Sequence, residues 1–135
     1  MSYRLAAALQ AAVYGCLSAE PALAAVAVLD APPPSSSPTG TFVLLGPEEM
    51  RDLSDVSGLG AEHRFTISVI SDAAGFLEAK TIAGAVCSAL TAASLSITGG
   101  HVLALACLGA RARRLREGGV RRIDVLFRAR VEIDQ

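Results

Sequence analysis

Histidine and cysteine are the side chains best suited to chemistry near neutral pH, and this sequence holds two of the first and three of the second. His63 and His101 lie far apart, and neither has a Cys or a carboxylate at metal-ligand spacing. Glu62 adjoins His63, but a strand would send neighbouring side chains to opposite faces. Cys16, Cys87 and Cys107 form no C-x-x-C, and an odd, dispersed set is not a disulfide framework. Each falls on an apolar stripe and reads as a buried thiol in a reducing compartment. There is no G-x-S-x-G elbow and no G-x-x-x-x-G-K-[ST] loop. Gly58-Leu59-Gly60 lacks the third glycine of a dinucleotide loop. Glu48 and Glu49 have no partner acid for a catalytic pair. The sequence therefore points to no catalytic residue, no metal ligand and no cofactor.

Charge is the one concentrated feature. The chain carries 12 basic and 13 acidic residues, so a globally basic nucleic-acid binder is excluded. Yet eight of the 12 basic residues fall between Arg111 and Arg130. The stretch from Glu48 to Asp72 carries six acids against two arginines. Arginine suits carboxylate and phosphate forks. Without interleaved aromatic residues this set is no single-strand stacking platform, and it forms no recognition helix. Contact with nucleic acid would run through the backbone and read no sequence. Arg111, Arg113, Arg122, Arg128 and Arg130 are the candidate interface or channel-facing residues. Glu48, Glu49, Asp52 and Asp55 are a candidate acidic patch toward a neighbouring subunit. Opposite charge on separate segments suits head-to-tail contact between copies, although solvated faces would look the same.

The elements that must position these charges follow from periodicity. Ser2 can cap a first helix, with Leu5, Leu9, Ala12, Val13 and Cys16 on one face. Ala24 to Leu29 reads as a short strand. Residues 31–40, APPPSSSPTG, cannot pair as a central strand and read as an extended arm or a surface loop. Thr41 to Leu45 is a strand, broken at Gly46-Pro47 and continued at an angle by Glu48 to Leu53. After a loop, Phe65, Ile67 and Val69 alternate with Arg64, Thr66 and Ser68 in a half-buried strand. Ser71 or Asp72 should cap a second helix, whose stripe is Phe76, Ala79, Ala83, Val86, Cys87 and Leu90. Thr98-Gly99-Gly100 is a turn. His101–Arg116 and Val120–Glu132 form a long hairpin. A two-residue turn at Gly118-Gly119 would set Arg113 opposite Asp124. The predicted fold is α+β: a mostly antiparallel sheet covered by two helices, ending in a long C-terminal β-hairpin.

At 135 residues the chain fits one domain over 1–135, with no internal repeat. Hydrophobic residues make up 52%, which is a folding composition. Much of that is alanine, so the core is built from small side chains and subunit contacts can add to it. The first helix superficially resembles a signal peptide, but Gln10, Gly15 and Glu20 interrupt it. The uncharged stretch from Thr81 to Gly100 is amphipathic rather than transmembrane.

Four segments resemble a family of small phage and prophage proteins. They are MSYRLAAALQAAVYGCLSAEPAL, VLDAPPP, EEMRDLSDVSGLGAEHRFTISVISDAAGFLEAKTIAGAV and GARARRLREGGVRRIDVLFRARVE. The most specific part is Asp52, Ser54, Asp55, Gly60, His63, Ser71, Asp72, Gly75 and Phe76. The chain is similar to tail terminator or tail completion proteins, including those of gene transfer agents. No catalytic residues come with that resemblance. It implies helices on an antiparallel sheet and a homohexameric ring at the head-proximal end of a tail. Such a ring would stop tube growth and join the tail to the head. The implied partners are further copies of the chain, a tail tube protein and a head–tail connector or stopper protein, with non-specific contact to DNA passing through the ring. No membrane is implied. The implied setting is the bacterial cytoplasm during assembly, then the particle tail.

Overall fold

The computed structural model describes residues 3–31, 40–56, 58–115 and 119–134. Ser2, most of the proline-rich segment, and Arg116 with Glu117 and Gly118 lie outside them. Helix α1 spans Ala6–Ala19 and a 3-10 turn spans Pro21–Leu23. Strands β1 (Ala27–Leu29), β2 (Thr41–Asp52) and β3 (Gly60–Ser71) follow. Helix α2 covers Leu77–Ala92 and leads into β4 (Ser96–Ile97), β5 (Gly100–Arg114) and β6 (Arg121–Ile133). The fold is α+β, with a mixed sheet of order β1-β2-β3-β6-β5-β4. Among the described residues only β1 and β2 run parallel.

Alternation along β3 and β6 decides where everything faces. Ala61, His63, Phe65, Ile67 and Val69 pair with Val131, Ala129, Phe127, Val125 and Ile123, and all ten are buried. Phe65 and Phe127 stack with ring centroids 5.5 Å apart. Leu9, Val13 and Leu17 of α1 pack on this face beside Ala79, Ala83, Val86 and Leu90 of α2. Both helices therefore cover one side of the sheet and leave the other without a helix. Burying a large apolar side chain is worth about 1.5–3 kcal/mol, whereas each alanine of α2 contributes far less, so the few large residues carry this core.

The break expected at Gly46-Pro47 is a bulge within one strand: β2 shifts register between Leu45 and Glu48 and carries on to Asp52. A Cβ on Gly46 would lie 2.8 Å from the Thr66 carbonyl oxygen, so the bulge needs glycine there. Neither expected cap for α2 is used. Its N-cap is Phe76, with no side-chain bond. The Ser71 hydroxyl accepts from the Ala73 amide, and Asp72 accepts from the Gly40 amide, so both residues tie the turn that leaves β3. Cys107 is exposed on β5 rather than buried, because β5 lies near the sheet margin.

The hairpin register also departs from expectation. Arg113 lies opposite Arg122, and Arg111 opposite Asp124. The last described rung is the Leu115 amide donating to the Val120 carbonyl at 2.8 Å. From Gly109 to Arg114 the shift is two residues, so each side chain there keeps its expected face; before Leu108 it is three, and Ala104–Cys107 take the face opposite to the expected one. Two further shifts, at Leu103 and Leu108, are bulges on β5 that no composition signal marks.

At the start of β5 the backbone crowds α1. A Cβ on Gly100 would collide with the Glu132 carbonyl oxygen and come within 2.6 Å of Leu5 Cδ1. Gly100→Ala should lower stability by about 1–3 kcal/mol through overpacking, read as a drop in urea midpoint at unchanged m-value.

Candidate functional site

The helix-free face gathers the charges that the sequence singled out. By register, Arg51, Arg64, Arg111, Arg113, Arg122, Arg128 and Arg130 point to it, together with Glu49, Glu62, Asp124 and Glu132. Seven cations against four anions leave an excess of positive charge. All five candidate arginines are thus on one face, and strand alternation is what brings them there. Arg121 is not among them. It is buried on the helix side, donates to the Ala73 and Gly119 carbonyls at 2.9 and 2.7 Å, and lies over the Phe76 ring. Its role is to fasten the hairpin end to the entry of α2.

Asp124 organises one end of the face. Its Oδ1 accepts from Ser68 Oγ at 2.6 Å and from Arg122 Nε at 2.9 Å, and Arg113 Nη2 stands 3.5 Å from Oδ2. Ser68 in turn accepts from Arg122 Nη2 at 3.2 Å. The expected Arg113–Asp124 ion pair therefore exists, but as a diagonal contact rather than a directly opposed one. Arg111, Arg128 and Arg130 have no ion pair among the described residues and are exposed. In the middle of the face Arg128 lies opposite Arg64, whose Nε donates to Glu62 at 3.0 Å.

The four acids do not form one cluster. Glu49 points to the helix-free face, whereas Glu48 and Asp52 point to the helix side. Asp52 accepts from Ser54 at 2.7 Å, holding its carboxyl below the ordinary carboxylate range, and Asp55 sits in the following loop. Glu48 is engaged inward. Its carboxylate takes the Tyr3 hydroxyl, and its Oε2 lies 2.9 Å from Nδ1 of the buried His63. The Tyr3 ring stacks on His63 with centroids 6.0 Å apart. Sequence reasoning weighed His63 as a metal ligand and as part of the family motif, and gave it no structural partner. Its role as the inner anchor for Glu48 would have needed the β2–β3 register, which places Met50 opposite it.

Among the described residues no group of three His, Cys, Asp or Glu side chains could hold a metal. A groove of about 610 Å³ between α1 and β1 contains one carboxylate, Asp30, beside Gln10 and Tyr14. No described helix is long and apolar enough to cross a membrane.

The Asp124 network has a pH signature. Burial pushes its carboxyl up, but the bonds from Ser68 and Arg122 and the charges of Arg122 and Arg113 outweigh that, so its pKa is lowered on folding. The stabilisation is then complete above the unfolded carboxylate value, about pH 4, and fades as pH falls through the lower folded value. Asp124→Asn should cost about 1–2 kcal/mol at pH 7 in urea denaturation. The gap from the parent should narrow below about pH 4.

The family described as tail completion protein gp17 matches residues 11–132. Among solved structures, a chain in the virion of a native gene transfer agent (GTA) particle is 53% identical. That match covers 97% of this chain and 99% of the other, with a TM-score of 0.88. No curated protein matches. The family match leaves out only the first five residues of α1 and the last residue of β6 among the helices and strands, and on that extent this chain belongs to the tail completion protein gp17 family.

Proposed function

We propose that this protein caps the head-proximal end of a phage-type tail tube as a homohexameric ring. The ring stops tube growth and joins the tail to the head connector or stopper protein. The chain is a structural subunit and not an enzyme. It assembles in the bacterial cytoplasm and ends in the tail of a phage-like or gene transfer agent particle. Family membership and the likeness to a gene transfer agent virion chain support a tail role.

The observation that carries the ring reading is the one-sided sheet. Its helices cover one face, and the other keeps Arg64 directly opposite Arg128 with Arg130 two residues on. Glu62 answers Arg64 and lies opposite Arg130, so one carboxylate serves three arginines here; like charges opposed across strands cost up to about 1 kcal/mol, which a negative partner outside the subunit would relieve. In a ring with helices outward, this face lines the channel. DNA passing there is met through its phosphates, without sequence reading. The remaining reading is another neck or head–tail joining component. It differs only in which end of the neck the protein binds. A small ligand-binding domain is disfavoured because the groove between α1 and β1 offers few convergent polar groups among the described residues.

Light scattering and negative-stain microscopy of the purified protein, alone and with tail tubes, should show rings, free or seated on tube ends. A strictly monomeric protein in both conditions would overturn the proposal. Binding to connector rings but not to tubes would favour the neck reading. The double variant Arg128→Ala/Arg130→Ala should still form rings, while particles built with it retain or deliver less DNA. Loss of rings would instead place both arginines in a subunit contact. Normal rings with normal DNA delivery would leave them a solvated face.

A further inference from the structure

The sheet ends in two unequal margins. On one side β4 guards β5 only at Gly100 and His101. On the other, β1 guards β2 only from Phe42 to Leu44. Among the described residues no strand pairs with the outer edge of β5 from Val102 to Arg114, or of β2 from Leu45 to Asp52. Long open edges invite strand addition, and single-domain proteins normally blunt them. Here β5 is 15 residues long and exposes Leu103 and Leu108.

We infer that the open edge of β5 pairs with the open edge of β2 of a second copy, so that neighbouring subunits share one continuous sheet. This rests on the ring reading above and names its interface. Three observations carry it. The first is direction. β2 and β3, β3 and β6, and β6 and β5 are each antiparallel, so β2 and β5 run oppositely. A neighbour set side by side in the same orientation brings its β2 antiparallel to β5, the arrangement in which edges pair best. The contact joins unlike patches, as a closed ring requires.

The second observation is charge. The free end of β5 carries Arg111, Arg113 and Arg114, and the free half of β2 carries Glu48, Glu49 and Asp52. Arg111 and Glu49 are both exposed and share the helix-free face, so they would meet on the same side of a joined sheet.

The third is geometry. Within one subunit Glu49 is level with Arg128, and Arg111 is level with Asp124, four residues away along β6. Bringing Arg111 to a neighbour's Glu49 therefore needs an axial stagger of about 14 Å per subunit. The subunit is four strands wide between β2 and β5, about 19 Å. That stagger over that width is a strand tilt of about 35°, within the roughly 35–45° of closed barrels. A charge match and a closure condition thus give the same placement.

The edge can be tested without touching the core. The Leu115 amide bonds to β6, so by alternation the amides of Arg113 and Arg111 also face β6, and that of Ala112 points outward. Proline at such a position spares the internal ladder and removes an outward donor. Ala112→Pro should lose the ring peak in light scattering and keep the circular dichroism of the parent. The decisive arm is a charge exchange. Arg111→Glu and Glu49→Arg should each reduce ring formation alone, and mixing the two should restore it. In an alternating ring every joint then pairs opposite charges. Parent rings that persist in Ala112→Pro and both single charge variants would overturn the edge contact and leave the ring intact. So would folded single variants that lose the ring but do not recover on mixing. A parent that never forms rings would overturn the ring reading itself, and this contact with it.

Discussion

The antiparallel ladder between β3 and β6 is the constraint on which the molecule depends. It runs without a register shift from Gly60 opposite Glu132 to Ser71 opposite Arg121. An unbroken ladder fixes one side for every residue along it. Phe65 and Phe127 stack on the inner side, and the helices settle over them. Arg64, Arg128 and Arg130 are thereby committed to the outer side, whatever their electrostatic cost. A slip of one residue would bury the arginines and expose the phenylalanines, so the register is strongly enforced. The irregularities of the sheet fall in its flanking strands, at Leu45–Glu48 on β2 and at Leu103 and Leu108 on β5.

Much of this was readable from the residues. Strict alternation in Arg64–Val69 and Ile123–Glu132 marks both central strands and their faces, because period two survives any even change of register. Gly46-Pro47 marks the break in β2. What escaped is what depends on the chain meeting itself. Gly118-Gly119 invites a tight turn, but nothing local reports the bulges at Leu103 and Leu108, since leucine fits a strand whether it is paired or extra. Ser71 and Asp72 look like helix caps, yet they are taken by Ala73 and Gly40, the second of which lies far off in sequence. Cys107 fits an apolar stripe, but whether a stripe is covered depends on how far its strand stands from the centre of the sheet.

The charge pattern was legible as segregation and not as surface. Reading along the chain, Glu48, Glu49, Asp52 and Asp55 form one acidic run. Folding separates them by strand alternation and spends Glu48 on Tyr3 and His63. The five candidate arginines fare oppositely: residues from two strands converge on one face, whereas Arg121 is drawn inside and Arg114, opposite it, stays on the helix side. Their common side, more than their number, sets this face apart from an ordinary solvated surface, where cations and anions alternate and nearly cancel.

The cluster joining Leu5 to Val131 and Ile133 bears on how the chain is made. The start of α1, at its N-cap Leu5, finds part of its partner surface only in β6, which is synthesised much later. The helix's apolar stripe must stay uncovered while the intervening sheet is synthesised, and the core closes only after translation has passed Ile133. Small side chains suit that delay. An alanine-rich helix holds its shape in isolation better than most and offers little sticky surface while it waits.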